Sequence, residues 1–173
     1  STWAGMTSPS AAILNQWTHL TIQHDGSTGY LYVNGVLVAS NSTAIAQNTS
    51  RPLRIGTGKT EASPTYYYPG RIYDFRYYNR ALTQNEITSV YRTGQDLGDE
   101  VLWMKLLETQ PSRDIIMKSF DGSGQKEIPY TSTLNTPTFT ISAWVYPISG
   151  DGGIFLSQSS SSGYYLRISG SRW

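Results

Sequence analysis

Short runs of alternating apolar and polar residues recur along the chain, separated by polar turns. Residues 17–24 alternate in this way, as in a strand with one buried face. Two further runs, at 29–33 and 36–39, are joined by Asn34-Gly35. Asn-Gly is the strongest two-residue hairpin signal, because a type I′ turn needs positive φ at both central positions. This part of the chain therefore predicts a strand followed by a β-hairpin.

The run RIYDFRYY at residues 71–78 predicts a longer strand. One of its predicted faces carries Ile72, Asp74, Arg76 and Tyr78. The other carries Tyr73, Phe75 and Tyr77.

One helix is predicted over residues 83–91. Thr83 and Glu86 have the spacing of a capping box, in which each side chain accepts a hydrogen bond from the backbone N–H of the other residue. Ile87, Val90 and Tyr91 give an apolar stripe at helical spacing. Gly94 suits the C-terminal cap.

The remaining apolar runs are short and are also read as strands. They lie at 51–56, 114–120, 127–130, 138–147, 153–158 and 164–169, while 101–107 fits a strand or a short helix. About ten or more strands with one short helix predict an all-β sandwich or jelly roll. Its core is expected to contain Trp17, Trp144, Phe75 and Phe139.

Composition limits the classes of function. A chain of 173 residues is long enough for one sandwich domain. Its net charge of +1, with arginines spread over many segments, argues against nucleic-acid binding. No apolar stretch approaches the ~20 residues of a membrane-spanning helix. The absence of cysteine excludes disulfides, and Ser1 in place of an initiator Met predicts a processed product or a fragment.

Three runs are similar to laminin-G-like domains of the concanavalin A-like lectin/glucanase superfamily. NQWTHLTIQHDGSTGYLYVNGVLVAS (15–40) resembles the second half of such a domain, and PGRIYDFRYYNRALTQNEITSVY (69–91) resembles its closing strand and helix. SFDGSGQKEIPYTSTLNTPTFTISAWVYP (119–147) resembles the opening of the family. The resemblance implies a concanavalin A-like jelly-roll β-sandwich in shifted order.

The shifted order divides the chain into three parts. Residues 1–94 correspond to the C-terminal part of a laminin-G-like sandwich, 95–113 to a joining segment, and 114–173 to the N-terminal part, together making one domain. The chain fits a circular permutant, one period of a tandem array, or a subunit whose halves pair with neighbours. We favour closure of the two parts within one chain.

Catalysis is not expected. Glucanases of this fold usually carry E-x-D-x-x-E on one strand, and no such run occurs here. His19 occupies a position where the family often has a core histidine, so we interpret it as structural. The sequence therefore predicts a non-catalytic protein.

Calcium is the one cofactor that the resemblance suggests. Family members often hold one Ca²⁺ where the opening and closing strands meet, and Asp74 and Asp121 are the matching acids. Carboxylate oxygens are ligands that Ca²⁺ prefers. In the alternative interpretation, Asp121 forms an Asp-Gly turn and Asp74 pairs with Arg76 or Arg80.

Ligand contact is predicted for four aromatic residues. Tyr66, Tyr67 and Tyr68 lie in a long polar loop and Trp3 lies near the N-terminus. Exposed aromatic rings with polar neighbours suit a glycan. Contact with a protein partner and simple packing are the alternatives for the three tyrosines.

These observations predict an extracellular, cell-surface or virion-exterior module for glycan or protein binding and adhesion. The alternative is a repeating structural subunit of an extracellular filament, surface layer or virion exterior. The expected partners are a glycan or surface protein, and further copies of the chain or neighbouring repeats, without nucleic acid or a membrane span.

Overall fold

The computed structural model describes residues 6–42, 44–58, 66–105, 118–121, 124–159, 162–169 and 172–173. Eleven strands and one α-helix occur in these parts of the chain. They are β1 (Thr18–Asp25), β2 (Gly29–Val33), β3 (Val36–Asn41), β4 (Leu53–Ile55), β5 (Pro69–Tyr78), α1 (Gln84–Thr93), β6 (Leu102–Met104), β7 (Lys118–Asp121), β8 (Lys126–Ile128), β9 (Thr138–Pro147), β10 (Gly152–Ser159) and β11 (Ser162–Ile168).

The strands form two antiparallel sheets, which confirms the predicted all-β sandwich. The larger sheet has the order β3-β2-β1-β9-β5-β6, and β7 also pairs with β5. The smaller sheet has the order β11-β10-β4-β8. The short helix confirms the remaining part of the predicted fold class.

Strands from the two predicted parts of the domain alternate within both sheets. Strand β9 lies between β1 and β5, and β4 lies between β10 and β8. The beginning and end of the described chain also meet, since the backbone N–H of Ser8 donates to the carbonyl of Trp173 at 3.1 Å. The two parts therefore meet within one chain in this structure, and the origin of the shifted order stays a prediction.

Apolar residues at alternate positions of both sheets fill the space between them. Strand β9 contributes Phe139, Ile141, Ala143 and Val145, all of which are buried in this core. From the opposite sheet, the Tyr164 ring lies 4.4 Å from the Phe139 ring centroid. Full burial of one such side chain contributes about 1.5–3 kcal/mol.

Strand β5 contains a β-bulge. Tyr73 lies opposite Trp144 of β9, and the next paired residue, Arg76, lies opposite Ser142. Between these two pairs, β5 therefore contains one residue more than β9. Asp74, within the bulge, has a left-handed backbone with φ of 53°, a conformation that Asp adopts more readily than most residues other than glycine.

The bulge shifts the alternation of side chains along β5. Ile72 is buried in the core together with Phe75 and Tyr77, whereas Tyr73 shares the outer face with Trp144 opposite it. The outer face is the side of the larger sheet that points away from the smaller sheet. The faces predicted for Ile72 and Tyr73 were therefore wrong, because strict alternation does not hold across an extra residue.

The side chain of Arg76 is buried on the outer face and connects three segments. Its Nε and Nη2 donate to the two Asp74 carboxylate oxygens at 3.1 and 2.8 Å. Nη2 also donates to the Gly94 carbonyl at 2.9 Å, and Nη1 donates to the Gln95 carbonyl and to Glu100. All five N–H donors of the guanidinium thus have acceptors.

A short strand of the joining segment completes this cluster. Trp103 of β6 lies opposite Arg76, and the guanidinium carbon lies 4.4 Å from the indole centroid. The indole Nε1 donates to Asp74 at 2.6 Å. The Arg76 cluster therefore ties the end of α1 and the segment after it to the larger sheet.

The helix and the hairpin have the predicted local chemistry. Thr83 and Glu86 form the capping box, and Gly94 caps the helix in the left-handed conformation. Asn34 and Gly35 both have positive φ, at 50° and 76°. Helix α1 packs on one half of the outer face, where Ile87 joins a buried cluster with Tyr32, Tyr78 and Leu82.

Replacement of Arg76 tests the importance of this cluster. We expect Arg76→Met to lower the free energy of unfolding by about 3–5 kcal/mol, because Asp74 would remain buried without its cation. Arg80→Met is the matched control. Arg80 pairs with Glu86 and Asp99 but is 37% exposed, so its loss should cost less than about 1 kcal/mol. Urea denaturation measures both, and equal effects would contradict the assignment.

Candidate ligand-binding surface

Four aromatic side chains lie together on the half of the outer face that α1 leaves open. Strand β9 contributes Trp144 and Tyr146, β5 contributes Tyr73, and Trp17 directly precedes β1. All four are half-buried, and Arg71 beside them is exposed. We call these five residues the aromatic platform.

The platform consists of two rows across three neighbouring strands. In the first row, Arg71 lies opposite Tyr146, and the Trp17 ring centroid is 5.4 Å from that of Tyr146. The Arg71 guanidinium carbon is 5.5 Å from the Tyr146 ring centroid. In the second row, Tyr73 lies opposite Trp144. Side chains two residues apart on a strand share a face about 7 Å apart.

Helix α1 borders the platform through Tyr91, whose ring centroid is 5.6 Å from that of Trp144. His19 lies under this border, 5.2 Å from Trp144 and 5.6 Å from Tyr91 between ring centroids. It is 1% exposed, and its Nδ1 has no hydrogen-bond partner among the described residues. The structural interpretation of His19 therefore agrees with its burial.

The sequence prediction placed Trp17 and Trp144 in the core, and the structure corrects this. Phe75 and Phe139 are core residues as expected, but both tryptophans are half-buried on the outer face. The sequence contained a signal for the outward position of Trp144. Trp144 lies between the core residues Ala143 and Val145, so strand alternation directs it to the opposite face.

The three tyrosines of the predicted loop site have different environments. Tyr66 is 49% exposed, Tyr67 is half-buried, and Tyr68 is completely buried in the core. Burial raises the pKa of the Tyr68 hydroxyl far above its usual value. Tyr68 is therefore a packing residue and not a ligand contact. Trp3 lies outside the described residues, and ligand contact at Tyr66 and Tyr67 stays a prediction.

The two acids predicted to share a calcium ion are not brought together. Asp121 lies opposite Pro69 in the pairing of β7 with β5, five residues from Asp74 and so roughly 15 Å along the strand. Ligand oxygens on one Ca²⁺ lie within about 5 Å of each other. Both Asp74 oxygens also accept hydrogen bonds from Arg76, as the alternative interpretation expected.

Calcium binding by the protein stays a prediction without a described ligand set. Among the described residues, no group of three or more His, Cys, Asp and Glu side chains could hold a metal ion. The effect of added Ca²⁺ on the melting temperature tests the prediction, because a ligand of the native state raises stability.

The glutamates of the described chain have structural partners. Glu86 pairs with Arg80 at 2.8 Å, and Glu127 pairs with Arg54 at 2.9 Å. Glu100 accepts a hydrogen bond from Tyr78 at 2.9 Å. These three carboxylates therefore stabilise a helix start, the smaller sheet and the Arg76 cluster. In the described parts of the chain, no helix is long and apolar enough to cross a membrane.

Two antiparallel sheets packed around one core define the class of this protein as a jelly-roll β-sandwich. A model of the laminin-G-like family, described as the concanavalin A-like lectin/glucanases superfamily, matches residues 1–88. The chain belongs to this superfamily. No curated protein and no solved structure matches the chain.

The buried His19 predicts a dependence of stability on pH. Burial lowers its pKa from 6.5 to about 4, opposed by the charge of Asp74 and assisted by that of Arg76. Between these values the unfolded chain binds the proton and the folded chain does not, so stability falls as the pH falls. We expect a loss of about 2 kcal/mol between pH 6.5 and 4.5.

Urea denaturation across this pH range measures the loss, and His19→Gln should remove most of it. Glu86→Gln is the matched control. Hydrogen bonds from Arg80 lower the pKa of Glu86 from 4.5 to about 2, so its stabilising effect is lost only below pH 4.5. An unchanged pH dependence in His19→Gln would contradict the assignment.

Proposed function

We propose that the protein is a non-catalytic glycan-binding module that acts in adhesion on a cell or virion surface or in the extracellular space. The observation that carries this proposal is the aromatic platform. Trp17, Tyr73, Trp144 and Tyr146 present half-buried rings on one face, and Arg71 is exposed beside them. Membership of the superfamily supports a binding role.

The chemistry of the platform suits sugar rings. Aromatic side chains combine a large apolar surface with a polar group, so they can cover the C–H face of a sugar while hydroxyls stay in water. The Arg71 guanidinium provides planar donors for sugar oxygens. The rings also lie on or next to paired strands, which hold a binding site more precisely than loops do.

The ion pairs and hydrogen bonds of three glutamates support a non-catalytic role. Glycoside hydrolysis requires two carboxyl groups about 5–10 Å apart across the scissile bond. Glu86, Glu100 and Glu127 instead form ion pairs or hydrogen bonds within the fold. The platform itself consists of aromatic residues and one arginine.

A structural subunit is the second candidate function, and strand β3 supports it. This strand forms an edge of the larger sheet, and its Val36 and Leu37 are 63% and 46% exposed. An apolar edge strand without charged residues is suited to pairing with another copy of the chain. Sedimentation velocity should then detect dimers or longer species that Val36→Lys disrupts, and a monomer at every concentration would contradict this role.

A glycan array followed by calorimetry with the best glycan tests the primary proposal. We expect Trp17→Ala and Tyr146→Ala each to weaken binding at least tenfold, because burial of an aromatic ring contributes about 1.5–3 kcal/mol. Tyr66→Ala is the matched control, since it removes an exposed tyrosine outside the platform.

Each outcome bears on the proposal. Loss of affinity confined to the platform variants supports it, provided that their melting temperatures show folded protein. Loss confined to Tyr66→Ala would move the site to the loop that the sequence predicted. Absence of glycan binding on the array would overturn the proposal.

A further inference from the structure

Exposed apolar side chains gather at one end of the sandwich. Nine large apolar side chains are exposed among the described residues, and four of them lie in loops at this end: Ile13, Leu14, Tyr66 and Ile148. These loops adjoin the start of β1, the start of β5 and the end of β9. Strand β9 pairs antiparallel with β1 and with β5, so the three points share one end of the larger sheet. We call residues 12–16 and 148–151, which carry the three aliphatic side chains, the apolar loops.

Backbone hydrogen bonds fix the positions of the apolar loops. The N–H of Asn15 donates to the carbonyl of Pro147 at 2.8 Å, and the N–H of Ile148 donates to the carbonyl of Pro69 at 2.9 Å. The first loop is thereby held beside the second, and the second beside the start of β5. A fixed backbone has little conformational entropy to lose when it contacts a partner. The fold therefore presents three exposed aliphatic side chains on two adjoining loops.

The residues next to the apolar loops suit the boundary between an apolar phase and water. Trp17 directly follows the first loop, and Tyr146 lies two residues before Ile148. Their ring centroids are 5.4 Å apart, and both side chains are half-buried. Trp and Tyr concentrate at the interfaces of lipid bilayers, because each combines an apolar ring with a polar group. The arrangement of aliphatic loops in front of this aromatic pair is therefore one that a bilayer surface fits.

Exposed charges of both signs flank the apolar loops. Arg71 lies opposite Tyr146, Arg172 lies opposite Ala11, and Asp151 belongs to the second loop. Acidic lipids are bound by clusters of about 4–8 Lys or Arg, and the described residues of this end carry no such cluster. Attraction to acidic headgroups is therefore not the main driving force here. Apolar burial remains as the term that would hold this surface to a partner.

The extent of the surface favours a bilayer over a protein partner. A stable protein–protein interface takes about 20–30 residues from each side, which is more than two short loops supply. The loops also lie at the ends of strands and present no strand edge for backbone pairing with a second chain. A bilayer requires neither, because it accommodates any apolar side chain that reaches its hydrocarbon.

We propose that the apolar loops insert into the surface of a zwitterionic lipid bilayer. The side chains of Ile13, Leu14 and Ile148 enter the acyl region, and the rings of Trp17 and Tyr146 lie at the headgroups. Burial of the aliphatic side chains in hydrocarbon drives the contact. Three partly exposed side chains give weak and reversible association, of the order known for a single acyl chain.

This contact goes beyond glycan binding and can fail independently of it. Tyr73 and Trp144, the second row of the aromatic platform, lie farther from this end along β5 and β9 than the first row does. A bilayer at the end of the sandwich therefore leaves the second row accessible from the side. Vesicles of pure phosphatidylcholine contain no glycan, so binding to them reports on the apolar loops alone.

Sedimentation with lipid vesicles tests the proposal. We expect the protein to bind vesicles of pure phosphatidylcholine, with affinity that rises less than about threefold when phosphatidylserine is added. A high salt concentration should change the affinity less than about twofold, because apolar burial is not screened by ions.

Two double variants assign the binding to the apolar loops. Leu14→Glu combined with Ile148→Glu should weaken vesicle binding at least tenfold, because a charge is unfavourable in the acyl region. Val101→Glu combined with Tyr130→Glu is the matched control, since it also replaces two exposed apolar side chains with two carboxylates. Val101 is bonded to Tyr77 near the end of β5, and Tyr130 follows β8, so both lie towards the opposite end of the sandwich. Unchanged melting temperatures show that both variants are folded.

A fluorescent label distinguishes insertion from adsorption to the headgroups. The chain has no cysteine, so Leu14→Cys can be labelled at one position with a dye whose emission depends on polarity. Tyr130→Cys provides the control position. We expect vesicles to shift the emission to the blue at position 14 and to leave it unchanged at position 130.

Several results would overturn the proposal. They are absence of binding to pure phosphatidylcholine, equal weakening by the two double variants, and an unshifted dye at position 14. Binding that requires phosphatidylserine and disappears at high salt would identify an electrostatic contact and contradict insertion. Dimers that form without lipid and dissociate in the apolar-loop variant would identify a second copy of the chain as the occupant and also overturn it.

Discussion

Hydrogen bonding by the buried guanidinium of Arg76 is the interaction on which the arrangement of the larger sheet depends. It is buried, and each of its N–H groups has an acceptor in Asp74, Gly94, Gln95 or Glu100. A buried cation is tolerated only when it is paired and its donors are satisfied. The segments that carry these acceptors must therefore come together before the cation can be buried.

The bulge at Asp74 makes this arrangement possible. Its left-handed backbone inserts one residue into β5, so that Asp74 reaches the guanidinium of Arg76 on the outer face. The same cation holds the carbonyl end of α1 through Gly94. Helix α1 is thereby fixed over one half of the outer face, and the described residues of the other half include the half-buried aromatic side chains. The aromatic platform occupies this other half, so the structural constraint and the proposed binding surface have a common origin.

Local sequence signals predicted local structure well. Asn34-Gly35 and the capping box of Thr83 and Glu86 specify their conformations through their own backbone and side-chain chemistry, and both are present. The bulge was not predicted from the sequence, because Asp74 is not glycine and assigning side chains to alternate faces assumes that no residue is inserted. Its conformation depends on Arg76 and on Trp103, which follows 29 residues later in the chain. Burial of Tyr68 and exposure of Tyr66 likewise depend on tertiary packing, which a run of three tyrosines does not encode.

Glycan binding is proposed for the aromatic platform and not for the tyrosine loop. The five tryptophans of the chain allow a direct measurement, because Trp17 and Trp144 lie in the platform, Trp103 lies in the Arg76 cluster and Trp173 is buried in the core. Indole N–H signals in a ¹H–¹⁵N spectrum can be followed while the best glycan from the array is added. We expect the signals of Trp17 and Trp144 to shift with a common affinity while that of Trp173 stays in place. Unchanged Trp17 and Trp144 signals at a saturating glycan concentration would contradict it.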